Sequence, residues 1–325
     1  MNKLFLTAIF AFLFVSSGYS QKQKVSKADQ ATLDSIMKKD EFLNMDKDKK
    51  GSYLDLSVGI GNGAFGSHNR ATNAAGVNNQ VIFTPGVFYH HESGLGIGAT
   101  VYIASDSANS GLYQTGITGS YDYDGDDVKA GLSYTRYISD PNKYNSKSIY
   151  QNDVYAYIKA AKGAIRPLFS VGYSSGTYKE VAVVFYTPPL PVPQAPRLVH
   201  DSTNNTASAF TLTGGVEHEF LFSNVFDKED ELEIVPSILL NAGSSKLALT
   251  HTNAAYAKLP KRSQRFKNAT MNESFQFQSV AAALDISYNI GKFFAQPSIY
   301  VDYFLPATTS NRLTAIYSFT IGWSF

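Results

Sequence analysis

"RLTAIYSFTIGWSF", residues 312–325, closes the chain, and its reading decides the fold. Every second residue is apolar: Leu313, Ala315, Tyr317, Phe319, Ile321, Trp323 and Phe325. Between them stand Thr314, Ser318, Thr320, Gly322 and Ser324, with Ile316 the exception. Strict period-2 alternation is the mark of a β-strand with two unlike faces. Working back toward residue 52, the same pattern recurs. In "SYLDLSVGIG" (52–61), Leu54, Leu56, Val58 and Ile60 oppose Asp55, Ser57, Gly59 and Gly61. In "GLGIGATVYIA" (94–104), Leu95, Ile97, Ala99, Val101 and Ile103 oppose Gly96, Gly98 and Thr100. Further segments lie near 80–90, 111–123, 127–138, 152–161, 166–177, 207–222, 231–242, 276–290 and 294–306. The sequence therefore predicts twelve strands, many of them long enough to cross a bilayer at a tilt with roughly 9–11 residues.

Alternation alone also suits a water-soluble sandwich. The connections separate the two. Short turns fall at "HESG", "YDGDD", "KGA", "NVFDKED" and "NIGK". Long links fall at "GSHNRATNAAGVNN", "SDPNKYNSKSIY", 178–206 and 243–274. Long and short in turn is the rhythm of an up-and-down barrel, with short periplasmic turns and longer outer loops. Pro85, Pro236 and Pro297 fall inside proposed strands, where each removes a ladder donor, so bulges or strand ends are expected there.

The chain end resembles the C-terminal signal of Gram-negative outer-membrane barrels, a terminal Phe with apolar or aromatic residues at alternate positions behind it. Tyr317, Phe319, Ile321, Trp323 and Phe325 fill that pattern. The resemblance implies a porin-like, all-β, twelve-stranded antiparallel transmembrane barrel over residues 52–325. It also implies a terminal strand read by the barrel assembly machinery. Apolar residues would then face lipid and polar ones the lumen, with the last strand pairing back to the first because an open edge cannot sit in hydrocarbon.

The beginning of the chain agrees with export. "MNKLFLTAIFAFLFVSSGYSQ" has Lys3, an apolar run from Leu4 to Val15 and small residues before Gln21, the make-up of a signal peptide over 1–20. Residues 21–51 differ in kind. Ser26 and Asp29 form a capping pair ahead of Leu33, Ile36, Met37 and Leu43 at helical spacing. This periplasmic segment is expected to be a short helix, either a tail or a plug for the lumen. Within it, "DKDKKG" begins like a calcium loop, but Ser57 stands where that loop needs Glu. A formal charge of +1 gives no reason to expect nucleic acid, and the absence of Cys removes disulfides and thiolate metal sites. No metal or other cofactor is expected.

On the strand positions facing the lumen, Lys129, Lys159 and Arg166 form a basic arc. Glu217, Glu219, Glu233, Asp285, Asp302 and Asp55 form an acidic one. Such a wall suits a narrow pore or gated channel for small solutes. Opposed charges could equally meet and close the lumen, leaving a structural or adhesive barrel that works through its outer loops. Of those loops, "YTPPLPVPQAPRLV" (186–199) is Pro-dense and stiff. "AKLPKRSQRFKN" (257–268) carries Lys258, Lys261, Arg262, Arg265 and Lys267, suited to lipopolysaccharide phosphates. Outer-membrane lipid hydrolases use a His and a Ser two apart on a strand. His91 and Ser93 fall at a short turn, and His200 and Ser202 in a long Pro-rich loop, so no catalysis is expected. "YDYDGDD" (Asp122, Asp124, Asp126, Asp127) reads as a two-residue Asp-Gly hairpin turn rather than a calcium site.

Overall fold

A computed structural model describes residues 51–62, 81–105, 110–139, 150–186, 197–251, 269–306 and 312–325. The signal at 1–20, residues 21–50 of the expected helical segment, and the basic loop carrying Lys258, Lys261, Arg262, Arg265 and Lys267 lie outside the described residues.

The strands are β1 (Tyr53–Gly61), β2 (Ile82–His90), β3 (Leu95–Ser105), β4 (Ser110–Asp124), β5 (Val128–Ser139), β6 (Asn152–Ala160) and β7 (Arg166–Tyr186). They continue as β8 (Arg197–Glu217), β9 (Phe220–Ser223), β10 (Asp230–His251), β11 (Ala269–Ile290), β12 (Phe293–Phe304) and β13 (Leu313–Ser324). β9 prolongs β8 beyond a break at His218–Glu219, and both pair with β10, so the thirteen strands form twelve staves. Every pairing is antiparallel between neighbours. The ring closes where β1 meets β13, from Asp55↔Ser324 to Gly61↔Ser318. Beyond the ladder, Leu54 and Phe325 exchange both backbone hydrogen bonds at 2.9 Å. At the other end Asn62 caps the seam: its Nδ2 donates to Ala315 O (2.9 Å) and its Oδ1 accepts from Tyr317 N (2.8 Å).

Closure settles which face is which. Leu56, Val58, Leu132, Ile158, Phe169, Ile238, Ile299 and Trp323 point outward and are exposed. Their strand neighbours face the lumen, and many are buried: Ser133, Thr135, Ser170, Ser174, Thr211, Asn241, Ser279 and Asp302. A soluble sandwich would show the reverse. Glycines let lumen rings lie along the wall. A Cβ on Gly98 would overlap the Phe88 ring, one on Gly131 the Tyr157 ring, and one on Gly322 the Phe294 ring.

Four staves exceed their expected length. β7, β8, β10 and β11 run 21 or 22 residues, so much of 178–206 and 243–274, read as loop, is paired strand. The β7–β8 ladder continues out to Tyr186↔Arg197. The core of the Pro-dense link, 187–196, is outside the described residues.

The prolines behave differently from expectation. Pro85 and Pro297 make neither bulges nor strand ends. The β2–β3 ladder omits pairs at Thr84 and Pro85, and β11–β12 omits those at Gln296 and Pro297, with register unchanged on either side. A strand residue directs its N–H to one neighbour only, so a proline costs one ladder and spares the other. Pro236 stands at the β8–β9 break, where its carbonyl accepts from His218 N (3.1 Å). Register shifts occur elsewhere, at Tyr102/Ile103, Asn241/Ala242 and Gly243/Ser245. The Asp-Gly turn is also corrected. Residues 125–127 link β4 to β5 with Gly125 N donating to Val128 O, and Gly125 is not among the glycines of positive φ that a two-residue I′ turn requires.

Candidate functional site

The lumen has two unlike halves, named here for the short-turn end and the long-loop end of the barrel. At the turn end, alternation brings acidic and basic side chains inward from β1 and from β4 through β11. Arg166 and Glu217 are direct cross-strand partners at the β7–β8 seam. Arg166 Nη2 donates to Glu217 Oε1 at 2.8 Å, and Nη1 donates to Glu219 in the break beyond β8. Lys159 Nζ, one strand further, reaches the same Glu217 oxygen at 3.1 Å. The side chains of Arg166 and Glu217 are only 4% and 8% exposed, whereas Lys159 is 28% exposed. The expected basic and acidic arcs thus adjoin, and their charges join along the wall. Among the described residues no ion pair bridges the lumen from opposite staves.

Lys129, Asp55 and Asp285 also engage wall neighbours. Lys129 pairs with Asp124 at 3.1 Å across the β4–β5 hairpin. Asp55 accepts from Ser324 Oγ (2.5 Å), and its other oxygen lies 3.3 Å from His90 Nε2, whose ring stacks on Tyr53. Ser298 Oγ donates to Asp285 (2.7 Å). Glu233 pairs with Ser287 in the ladder and shares the lumen parity of Glu231 on the same strand. The sequence reading assigned Asp122 and Asp124 to a turn and left out Glu231 and His90, although all four share the lumen parity of their strands. Asp122 accepts from Tyr157 OH at 3.1 Å. Counted together, carboxylates outnumber cations on this stretch of wall, although the whole chain carries a formal +1.

The loop-end half is tightly lined. Tyr102, Gln114, Tyr137, Asn241, Tyr300 and Asp302 are all buried. Asn241 centres a network in which Thr213 Oγ1 donates to its Oδ1 (2.8 Å), and its Nδ2 donates to Ser279 Oγ (3.0 Å) and Tyr300 OH (2.9 Å). Asp302 lies two residues beyond Tyr300 on the same strand and is buried next to Ser279 and Asn241. The shared parity of Glu233 and Asn241 was visible in sequence. Its partners were not, because they come from three other strands.

The His–Ser pairs have different fates. Ser93 Oγ lies 2.8 Å from His91 Nδ1, and the same nitrogen accepts the Ser93 backbone N–H at 3.2 Å. That ring nitrogen helps close the β2–β3 turn, and both residues are exposed. His200 and Ser202 are not in a loop: both lie on β8, opposite Val183 and Val181. The strand is longer than the proline-rich sequence suggested. Among the described residues no group of His, Asp and Glu could hold a metal ion.

No protein-family description matches the chain, and no curated protein matches it. Solved structures similar to it include a NanC porin, at 11% identity and a TM-score of 0.34, covering 84% of this chain and 98% of that one. A bacterial polysaccharide outer membrane secretin is similar at 11% identity and a TM-score of 0.33, covering 85% and 99%. OmpT, an outer membrane protein of Vibrio cholerae, is similar at 9% identity and a TM-score of 0.21, covering 84% and 96%. At such values these likenesses carry no argument about activity.

Proposed function

We propose that this chain is an outer-membrane barrel passing small solutes through a narrow, charge-lined lumen. The observation that carries the reading is the division of faces in a closed ring. An apolar surface points outward from every stave, while buried ion pairs and hydroxyls point inward. Water would not favour so much exposed apolar surface, whereas lipid would. Aromatics at strand ends support it: Tyr89, Tyr121, Tyr123, Phe220, Phe222 and Trp323 toward the turn end, and Phe275, Phe277 and Tyr303 toward the loop end. These suit the two interfacial girdles of such barrels. Under this reading the terminal strand serves assembly, and the basic loop from Lys258 to Lys267 meets lipopolysaccharide.

A second reading draws on the loop-end half. The burial of Tyr102, Gln114, Tyr137 and Tyr300 suits a barrel that stays shut and acts through its outer segments. Planar-bilayer recording separates the two. A steady conductance whose ion selectivity changes with Lys159→Glu or Glu217→Lys supports the passage. Absence of conductance, even after removal of residues 21–50, supports the shut barrel. Fractionation away from the outer membrane, with no heat-modifiable gel migration, overturns both.

A further inference from the structure

On the outer face, one row of cross-strand partners near the loop end departs from the apolar pattern. It runs Arg136↔Asn152↔Ser175↔Ser208↔Lys246, from β5 through β6, β7 and β8 to β10. Two rows nearer the turn end, the same five staves present Leu132, Ala156, Val171, Leu212 and Ala242. Between the two rows stand Tyr134, Val154 and Tyr173, all exposed. Along β7 the path from Pro167 to Ser175 is about 26 Å at ~3.3 Å per residue, or about 20 Å along the barrel axis at a strand tilt of ~40°. The apolar band of a membrane barrel is about 25 Å tall, so the polar row stands at its loop-end rim.

The two ends of the row are cationic and exposed. Arg136 Nη1 donates to Asn152 Oδ1 at 2.6 Å, and Tyr134 OH donates to the same oxygen at 2.9 Å. A neutral side chain thus holds the guanidinium at the surface and leaves its charge uncompensated. Neither Arg136 nor Lys246 joins an ion pair among the described residues. The carboxylates adjoining the row are engaged on the lumen side. Asp153 accepts from Ser174 Oγ (2.6 Å), which is buried, and Glu273 accepts from Ser245 Oγ (2.7 Å), whose ladder partner Ala209 is buried.

We propose that this row docks a phosphorylated glycolipid of the leaflet at the loop end, with Arg136 and Lys246 holding phosphate and Asn152, Ser175 and Ser208 meeting sugar hydroxyls. This rests on the outer-membrane reading above and is independent of solute passage. The planar guanidinium suits two phosphate oxygens at once, whereas the Lys246 ammonium acts as a point charge. The two cations stand four staves apart, about 19 Å at ~4.8 Å per step, a span that fits a headgroup of more than one sugar better than a single glycerol phosphate. The acyl chains of the same lipid would lie on the apolar rows beneath. Unlike the loop from Lys258 to Lys267, this site is built on paired strands.

Binding is measured by fluorescence anisotropy of labelled lipopolysaccharide with the folded protein in zwitterionic detergent. Arg136→Gln is expected to weaken binding roughly tenfold, the effect of one charge-assisted pair, and Arg136→Lys to weaken it less. Lys246→Gln should weaken it too, while Lys162→Gln, which removes an exposed charge at the turn end, leaves it unchanged. Raised salt should bring wild type toward the Arg136→Gln value. Unchanged binding in both Arg136→Gln and Lys246→Gln overturns the inference, as does equal affinity for lipopolysaccharide stripped of its phosphates. Phosphatidylglycerol bound as tightly, with the same dependence on Arg136, overturns the glycolipid as occupant. Competition by inorganic phosphate as strong as by unlabelled lipid overturns a lipid source. Heat-modifiable gel migration verifies folding of each variant; if Arg136→Gln does not fold, Arg136→Lys and Lys246→Gln decide the matter. Fractionation away from the outer membrane removes the reading on which the site rests, whereas unchanged binding by folded outer-membrane variants removes the site alone.

Discussion

Replacing Glu217 with Gln tests whether the Arg166 cluster holds the wall together. The change keeps the side-chain shape but removes the charge that faces both Arg166 and Lys159. Removing one partner of a buried ion pair costs about 3–5 kcal/mol, because the other charge stays buried and unpaired. Here Glu219 still accepts from Arg166, and the amide oxygen of Gln can still accept a hydrogen bond. The expected loss is therefore lower, about 2 kcal/mol. Lys159→Met removes a partner from the same carboxylate, but Lys159 is 28% exposed and water can solvate what remains, so its cost is below about 1 kcal/mol. The pair Arg166→Met with Glu217→Leu removes both central charges and should recover most of the loss from Glu217→Leu alone. The chain has a single tryptophan, Trp323, which packs edge-on against Phe293 beside the seam. Its fluorescence in detergent micelles reports unfolding by urea, and the midpoint shift at constant slope gives the difference. If Glu217→Gln is as mild as Lys159→Met, or the double variant is no more stable than Glu217→Leu, the cluster is not a buried network and the reasoning fails.

Gly98→Val drives a side chain into the Phe88 ring and should cost about 1–3 kcal/mol, with partial rescue by Phe88→Ala, read by the same urea titration. Deleting Phe325 removes the residue that exchanges two backbone hydrogen bonds with Leu54, and should lower the yield of heat-modifiable, folded barrel in the outer-membrane fraction. The purified protein in mixed micelles should release no fatty acid, with or without calcium, and His91→Ala should change nothing in that assay. Release that disappears in His91→Ala or Ser93→Ala would instead make the turn pair catalytic.

The staves were legible because an apolar outer face and a polar lumen face impose a period of two on each strand independently. From Leu54 to Ile60, or Leu313 to Phe325, the identity of each face needs no knowledge of the neighbours. Strand ends were legible only at the short turns, where Gly94 and Gly291 adopt positive φ. At the loop end the signal failed. Val181 to Tyr186 and Leu198 to Asn204 were absorbed into a proline-rich loop, yet cross-strand pairing overrides that local composition. The charged site was half legible. Parity placed Lys159, Arg166 and Glu217 inward. That Arg166 and Glu217 are direct partners depends on the β7–β8 register, which the alternation within either strand does not specify. Asn241 illustrates the limit: its partners Thr213, Ser279 and Tyr300 arrive from β8, β11 and β12.

The seam between β1 and β13 has a kinetic consequence. Almost every other pairing joins neighbours in sequence, whose hairpins can form within microseconds. The seam brings together residues as far apart as Asp55 and Ser324, with the largest loop entropy of any contact in the ring. Its pairing must therefore follow the rest and govern the overall rate, as expected where non-local contacts dominate. Until then both edges carry unsatisfied N–H and C=O groups, open to another chain. Asn62, which ties both a donor and an acceptor of β13 at 253 and 255 residues' separation, acts as a latch on that last step. Weakening it should lengthen the lifetime of the open sheet, and with it the window for aggregation, more than it lowers the stability of the finished ring.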